Sequence, residues 1–424
     1  MQDLLYLVHR IPYPPNKGDK VRSYHLLQHL LKCYRVHLGT FVDDPDDWRH
    51  TGVMCRLCVD TCIRPLNPRL ASLRSLTGLL SAQALTLPYY RDAVLQRWVD
   101  RTLARHSIKH IVVYSSAMAQ YVMHARAAHR VADFVDVDSD KWRQYAAGKP
   151  WPLAGIYRRE AVRLLEHEVR VAREFDASVV VSKAEASLFR RLAPECTEKV
   201  WHVNNGVDSA FFSPDREYAD PFGAGQQALV FTGAMDYWPN VDAVEWFARE
   251  VFPALHAADS ALRFYIVGAR PTVRVTRLAR GAGVVVTGTV PDIRPYLAHA
   301  ALAVAPLRVA RGTQNKVLEA MAMAKAVIAS PEAATGIEAL ANKELIVATG
   351  KDAFAAQVRA LLANPVARHA IGQAARARVL ADYLWSRNLG RFDRLLRGLR
   401  LLASPGANVS SGDIPADRSG SVAP

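Results

Sequence analysis

The chain has 424 residues, half of them hydrophobic and 22% charged, with 23 glycines and 23 prolines; this is globular composition, too long for one ordinary core and suited to two domains. The formal charge of +14 comes from scattered arginines rather than Lys/Arg blocks, which argues against a nucleic-acid track and for phosphates or an anionic membrane as the attraction. Five cysteines are present, and Cys55, Cys58 and Cys62 lack the second Cys or His pair of a structural zinc site, so reduced thiols and no metal are expected.

The opening run Met1–Arg10 is too brief for a signal-peptide core. No stretch approaches the roughly 18 uninterrupted apolar residues of a membrane span. Apolar runs then alternate with helical patterns: Leu4–Val8, Val36–Phe41, Ile111–Tyr114, Phe134–Val137 and Val179–Val181 each precede a helix-like segment. Continuous Val/Ile/Leu runs of that length suit parallel strands covered on both faces. After a turn-rich stretch from Asn204 to Gly225 the pattern resumes with Leu229–Thr232, Phe264–Val267, Val284–Val286, Leu302–Ala305, Val327–Ala329 and Leu345–Val347. Two doubly wound α/β domains follow, with the cleft between them. The expected division is an N-terminal domain over residues 1–208, a C-terminal domain over 209–385, a crossover helix over 386–403 and a disordered tail over 404–424, where small and turn residues leave little to bury.

The first strand empties into a loop from His9 through Lys17, Gly18 and Asp19 to Lys20, followed by a helix carrying Arg22, Tyr24 and His25. In an open α/β sheet this carboxyl edge of the strands is where ligands bind. A single glycine is not a dinucleotide fingerprint, so a dehydrogenase is disfavoured. Further on, Phe134–Trp142 carries Asp136, Asp138 and Asp140 at the exit of another strand of the same sheet. Carboxylates there can orient acceptor hydroxyls or act as a base; the plainer alternative is that Asp138 or Ser139 caps the next helix.

The strongest local pattern is strand Leu302–Ala305, then Arg308, Arg311 and Gly312, then a helix through Asn315, Lys316 and Glu319. Thr313 is the expected N-cap, which places Lys316 in the first turn, where its charge opposes the helix dipole. A binding role explains that misfit better than folding does, because a solvated Lys–Glu pair contributes only about 0.2–0.5 kcal/mol. Lys316, Arg308 and backbone N–H groups can neutralise a diphosphate while Glu319 accepts from ribose hydroxyls. Gly233 and Gly268 close two further strands, with Tyr237 and Trp238 beyond the first, and are expected to let a ligand approach the backbone.

With Val181-Ser182-Lys183, Val203–Asp208, Gly233, Val267-Gly268, Gly288-Thr289-Val290 and Lys316–Ala322 in order, the chain resembles the retaining glycosyltransferases of family four over nearly its full length. Arg10–Arg22, Asp136–Trp142 and Gln314–Ala322 are most similar to the sugar transferases found with exosortase (PEP-CTERM) exopolysaccharide clusters. The resemblance implies a GT-B fold, a last helix packing back on the N-domain, and metal-independent transfer with retention from a nucleotide-sugar, UDP- or GDP-linked, to a glycan or lipid-linked glycan. It implies no cofactor. Lys316 and Arg308 are expected to act in catalysis with Asp138 and Asp140; Gly18, Gly233, Gly268, Arg311, Gly312, Asn315, Lys316 and Glu319 are expected at the donor; and Lys17, Asp19, Arg22 and Trp142 are expected on the acceptor side. The sequence departs from the family where Arg311 stands eight positions before Glu319 in place of a glutamate, and where Met235–Asn240 lacks the usual Arg and Lys.

The stretch Arg64–Arg97 mixes arginines with leucines and reads as a basic amphipathic surface for anionic lipid, so a cytoplasmic protein peripheral on the inner face of the membrane is expected, with an ordinary surface helix as the alternative. The competing functions are a GT-B sugar-nucleotide epimerase and a non-catalytic nucleotide-sugar or anion-binding protein.

Overall fold

The computed structural model describes residues 1–15, 18–310 and 312–399. The expectations for Lys17, Arg311 and the 404–424 tail therefore lie outside the described residues. The first sheet has seven strands: β1 Gln2–Val8, β2 Tyr34–Val42, β3 Asp60–Pro65, β4 His110–Tyr114, β5 His129–Val135, β6 Ala177–Val180 and β7 Val200–His202. All are parallel, in the order β3-β2-β1-β4-β5-β6-β7. The second sheet has six parallel strands: β8 Gln227–Thr232, β9 Leu262–Val267, β10 Val284–Gly288, β11 Leu302–Ala305, β12 Val327–Ala329 and β13 Ile346–Val347, in the order β10-β9-β8-β11-β12-β13.

The continuous apolar runs arise because helices cover both faces of each sheet. In β1, Leu5 and Leu7 point into one core layer, and Leu4, Tyr6 and Val8 into the other. β3 gave no such run because its residues are only half-buried at the sheet edge. β5 ends at Val135 rather than Val137. Val135 has φ +70°, a left-handed conformation costly for a β-branched residue, and it breaks the strand register.

The helix Trp385–Leu396 returns to the first domain. Its Trp385, Leu389, Phe392 and Leu396, spaced to share one face, join the core layer of Leu4, Tyr6 and Val8. The chain passes back where Val207 donates to Tyr383 O at 2.7 Å. A Cβ on Gly206 would sit 2.6 Å from Trp385 N, so no side chain fits there. No described helix is long and apolar enough to cross a membrane.

Candidate active site

In each sheet the strand order reverses between two central strands, β1/β4 and β8/β11, and these switch points are where a doubly wound sheet opens a crevice. The loop after β1, the exit of β5, the loop after β8 and the loop after β11 converge there.

On the C-terminal face the helix runs Asn315–Ala322, with Gln314 as its N-cap and no side-chain cap bond. Thr313 is not the cap: its hydroxyl lies 3.3 Å from Val181 O of the first domain and 3.2 Å from Gly336 O. Lys316 stands in the first turn. Its Nζ donates to Asn240 Oδ1 at 2.5 Å and sits 4.6 Å above the Phe231 ring. Burial lowers the lysine to about 8 against the pull of Glu319. The Glu319 carboxylate has no hydrogen-bond partner among the described residues, and burial lifts it to about 7 although Lys316 opposes this. The pair offers a cation and an acceptor whose surroundings, apart from each other, are neutral.

Arg308 is turned to a different partner. Its guanidinium is exposed and committed to both oxygens of Asp242 on the helix Trp238–Trp246. The glycines also divide differently from expectation. A Cβ on Gly268 would lie 1.7 Å from Gly233 O, so Gly268 serves the packing of two strand exits rather than access for a ligand. A Cβ on Gly233 would meet Asn240 Nδ2 at 2.7 Å and Lys316 Cε at 3.4 Å; its bareness leaves room for the Lys316–Asn240 bond. Gly312, at φ +59°, lies where a Cβ would be 2.1 Å from Asp136 Oδ1, so the two domains meet closely here.

The N-terminal face is built of satisfied charges. Arg22 is 1% exposed, pairs with Asp133 at 2.8 Å, and donates to Val203 O and Asn205 Oδ1; it is a buried structural cation. Asp19 accepts from Arg10 at 2.6 Å and lies 3.5 Å from His9. Burial would raise it, but His9 and Arg10 hold it well below the usual carboxylate range. Gly18 faces across the cleft, its Cβ position 3.9 Å from Asn315 Nδ2.

The helix Asp138–Ala147 starts at Val137 without a side-chain cap, so neither Asp138 nor Ser139 caps it. Ser139 instead donates to the buried Glu168 at 2.5 Å. Asp140 is 3% exposed and committed to Arg143 and Gln144 of its own helix, which removes it as an acceptor base. Asp138 keeps a third of its side chain exposed, with Lys141 Nζ at 3.5 Å. Trp142 packs edge-on to Tyr157 at 5.0 Å, and its neighbour Tyr145 meets Trp238 of the second domain at 5.6 Å.

Three residues escaped the sequence reading. Asn240 holds Lys316. Asn205 accepts from Arg22 and donates to Asn315 Oδ1 at 3.1 Å, so it links the buried ion pair to the first residue of the Lys316 helix. Glu185 accepts the N–H of Val137 at 2.9 Å and that of Gly312. The Ser182–Glu185 spacing is a capping-box signature, and Ser182 does accept from Glu185 N at 3.2 Å; that local reading hides the contact across the domains.

Residues 226–364 match the family model described as Glycosyl transferases group 1. The fold is GT-B. Sucrose-phosphate synthase from Thermosynechococcus elongatus superposes with a TM-score of 0.69 at 16% identity, over 94% of this chain and 98% of that one. HepE from Anabaena, in complex with UDP, superposes with a TM-score of 0.63 at 15% identity over 94% and 100%. WaaG, a glycosyltransferase involved in lipopolysaccharide biosynthesis, gives 0.62 at 14% over 92% and 99%. No curated protein matches the sequence. The match covers the domain that carries Lys316 and Glu319, and together with the fold it supports a transferase.

Proposed function

We propose that the protein is a retaining glycosyltransferase of family four that transfers a sugar from a UDP- or GDP-linked donor to a glycan or lipid-linked glycan during exopolysaccharide synthesis. The observation that carries this is the Lys316–Glu319 pair at a switch-point helix start, inside the segment that matches the group 1 transferases. HepE, of the same fold, was solved with UDP. In this reading the diphosphate lies over the first N–H groups of the helix Asn315–Ala322, and Lys316 stabilises the charge that grows on it as the sugar leaves, without a metal ion. Glu319 holds the ribose. Asp138, the exposed carboxylate opposite, orients the acceptor hydroxyl. Asn315, seated by Asn205, fixes the helix start against the N-domain.

Calorimetric titration with UDP, GDP, ADP and their sugar conjugates tests the reading on the full chain beside Lys316→Ala and Glu319→Ala. One nucleotide series should bind and both variants should weaken it. If no nucleotide binds, the donor site is misplaced and the transferase reading falls; if a conjugate binds and is isomerised without an acceptor, the enzyme is an epimerase.

A further inference from the structure

The segment from Pro68 to Leu80 follows an unbroken right-handed helical path, a helix Pro68–Ser75 running into a tighter turn Leu76–Leu79. Its packing is inverted. A surface helix normally turns its apolar stripe inward, yet this one buries Ala71 and Gly78 and leaves Leu70, Leu73, Leu76 and Leu80 exposed at 64%, 65%, 50% and 95%. At about 100° per residue those four leucines fall within one third of the circumference. Hydration of so much apolar surface is unfavourable, and a contiguous apolar patch of this kind marks an interaction surface.

The charges around it favour one kind of partner. Residues 61–91 contain Arg64, Arg69, Arg74 and Arg91 and no Asp or Glu. Arg74 bonds to the carbonyls of Pro88 and Tyr89, Arg91 to Gln83 Oε1, and Arg159 to the carbonyls of Gly78, Ser81 and Gln83. Arg64 is paired with Asp92 at 3.2 Å, whereas the bonds of Arg74, Arg91 and Arg159 go to uncharged groups and leave those three charges uncompensated. Trp151, 87% exposed, stands two residues before the helix Leu153–Glu174 that carries Arg159. Leucines with arginines and an exposed tryptophan suit an anionic lipid interface. A second copy of the chain would bring two like-charged faces together.

We infer that the Leu70–Leu80 face docks the protein on an anionic bilayer, with the leucines in the acyl boundary and Arg69 and Arg74 at the headgroups. Through Tyr89 and Tyr90 the same segment reaches the loop after β1, since Tyr90 packs on His9 at 5.8 Å. The docked face therefore adjoins the N-terminal wall of the cleft.

The test is co-sedimentation of the full chain with vesicles of phosphatidylcholine alone or mixed with phosphatidylglycerol. Wild type should bind the mixed vesicles and release at high salt. Leu73→Ser/Leu76→Ser/Leu80→Ser, which touches only exposed side chains, should bind about tenfold more weakly or worse, and Arg69→Gln about fivefold more weakly. Equal binding by the triple variant, or no wild-type binding to the mixed vesicles, overturns the inference; so does a leucine-dependent dimer in light scattering without vesicle binding. The outcome is independent of nucleotide titration, because the variants leave Lys316 and Glu319 in place.

Discussion

The two walls of the cleft treat charge in opposite ways. On the N-terminal wall Arg22 is matched by Asp133, Lys20 by Asp47, Arg10 by Asp43 and Asp19, and Asp140 by Arg143. On the C-terminal wall Lys316 has a neutral amide and an aromatic ring, and the Glu319 carboxylate has no hydrogen bond among the described residues. Burying a charge without a full partner is costly, so groups left this way mark where a ligand completes the structure. The first wall is a scaffold; the second is the part that waits.

Breaking the scaffold should have the largest effect on stability. Arg22→Ala leaves Asp133, which is 0% exposed, buried without its cation, and should cost about 3–5 kcal/mol in urea denaturation. Arg22→Met with Asp133→Leu should recover much of that, because the cost is the stranded charge. If the single variant melts like wild type, the ion pair is not what holds this wall.

Lys316→Ala should do the reverse. Removing a half-buried lysine whose charge lacks a full partner should leave stability unchanged or raised, while lowering kcat/KM by about 10²–10³-fold if the amine meets charge that develops on the leaving diphosphate. A loss confined to KM would assign it to uniform binding instead.

The C-terminal wall should also show itself through pH. Glu319 is raised to about 7 and Lys316 lowered to about 8, both chiefly by burial. Because the folded state holds the Glu319 proton more tightly than the unfolded chain does, its ionisation weakens folding progressively as pH rises from the ordinary glutamate range to about 7. Because the folded state gives up the Lys316 proton more readily, that penalty is full below about 8 and fades at higher pH. Between about 7 and 8 both charges are present and both penalties apply, so nucleotide affinity should peak there and fall on either side. Glu319→Gln should remove the acid limb of the binding profile and raise the urea midpoint at pH 8 but not near pH 5. An unchanged acid limb would detach Glu319 from the donor.

What was legible in the sequence follows the same contrast. The alternation of apolar runs with helices was readable because both faces of each strand are buried, and Lys316 stood out because a cation in a first helical turn opposes the dipole. Arg22 and Arg308 looked like free cations because their carboxylates lie 111 and 66 residues away. Gly268 and Gly336 face backbone atoms of other segments, and no local spacing reveals such contacts. The inverted helix was visible as a mixture of Leu and Arg, but not the direction in which its leucines point.

The smallest expected effect lies where the walls join. Asn205 accepts from Arg22 and donates to Asn315 at 3.1 Å, while its carbonyl accepts from Asn388 of the returning helix. The scaffold thereby reaches the first residue of the Lys316 helix through one side chain. Asn205→Ala should cost only about 0.5–1.5 kcal/mol per lost bond in stability, since Arg22 keeps Asp133 and Val203 O. Its effect on turnover should be larger in proportion, because a shift of about 1 Å at the helix start can cost about 10²-fold in rate. Asn205→Asp keeps the acceptor for Arg22 and removes the N–H that Asn315 receives, so it separates the two halves of the link. If Asn205→Asp is as stable as wild type yet as slow as Asn205→Ala, the N-terminal wall works by seating Asn315; if it is fully active, the walls are coupled through Gly312 and Glu185 instead.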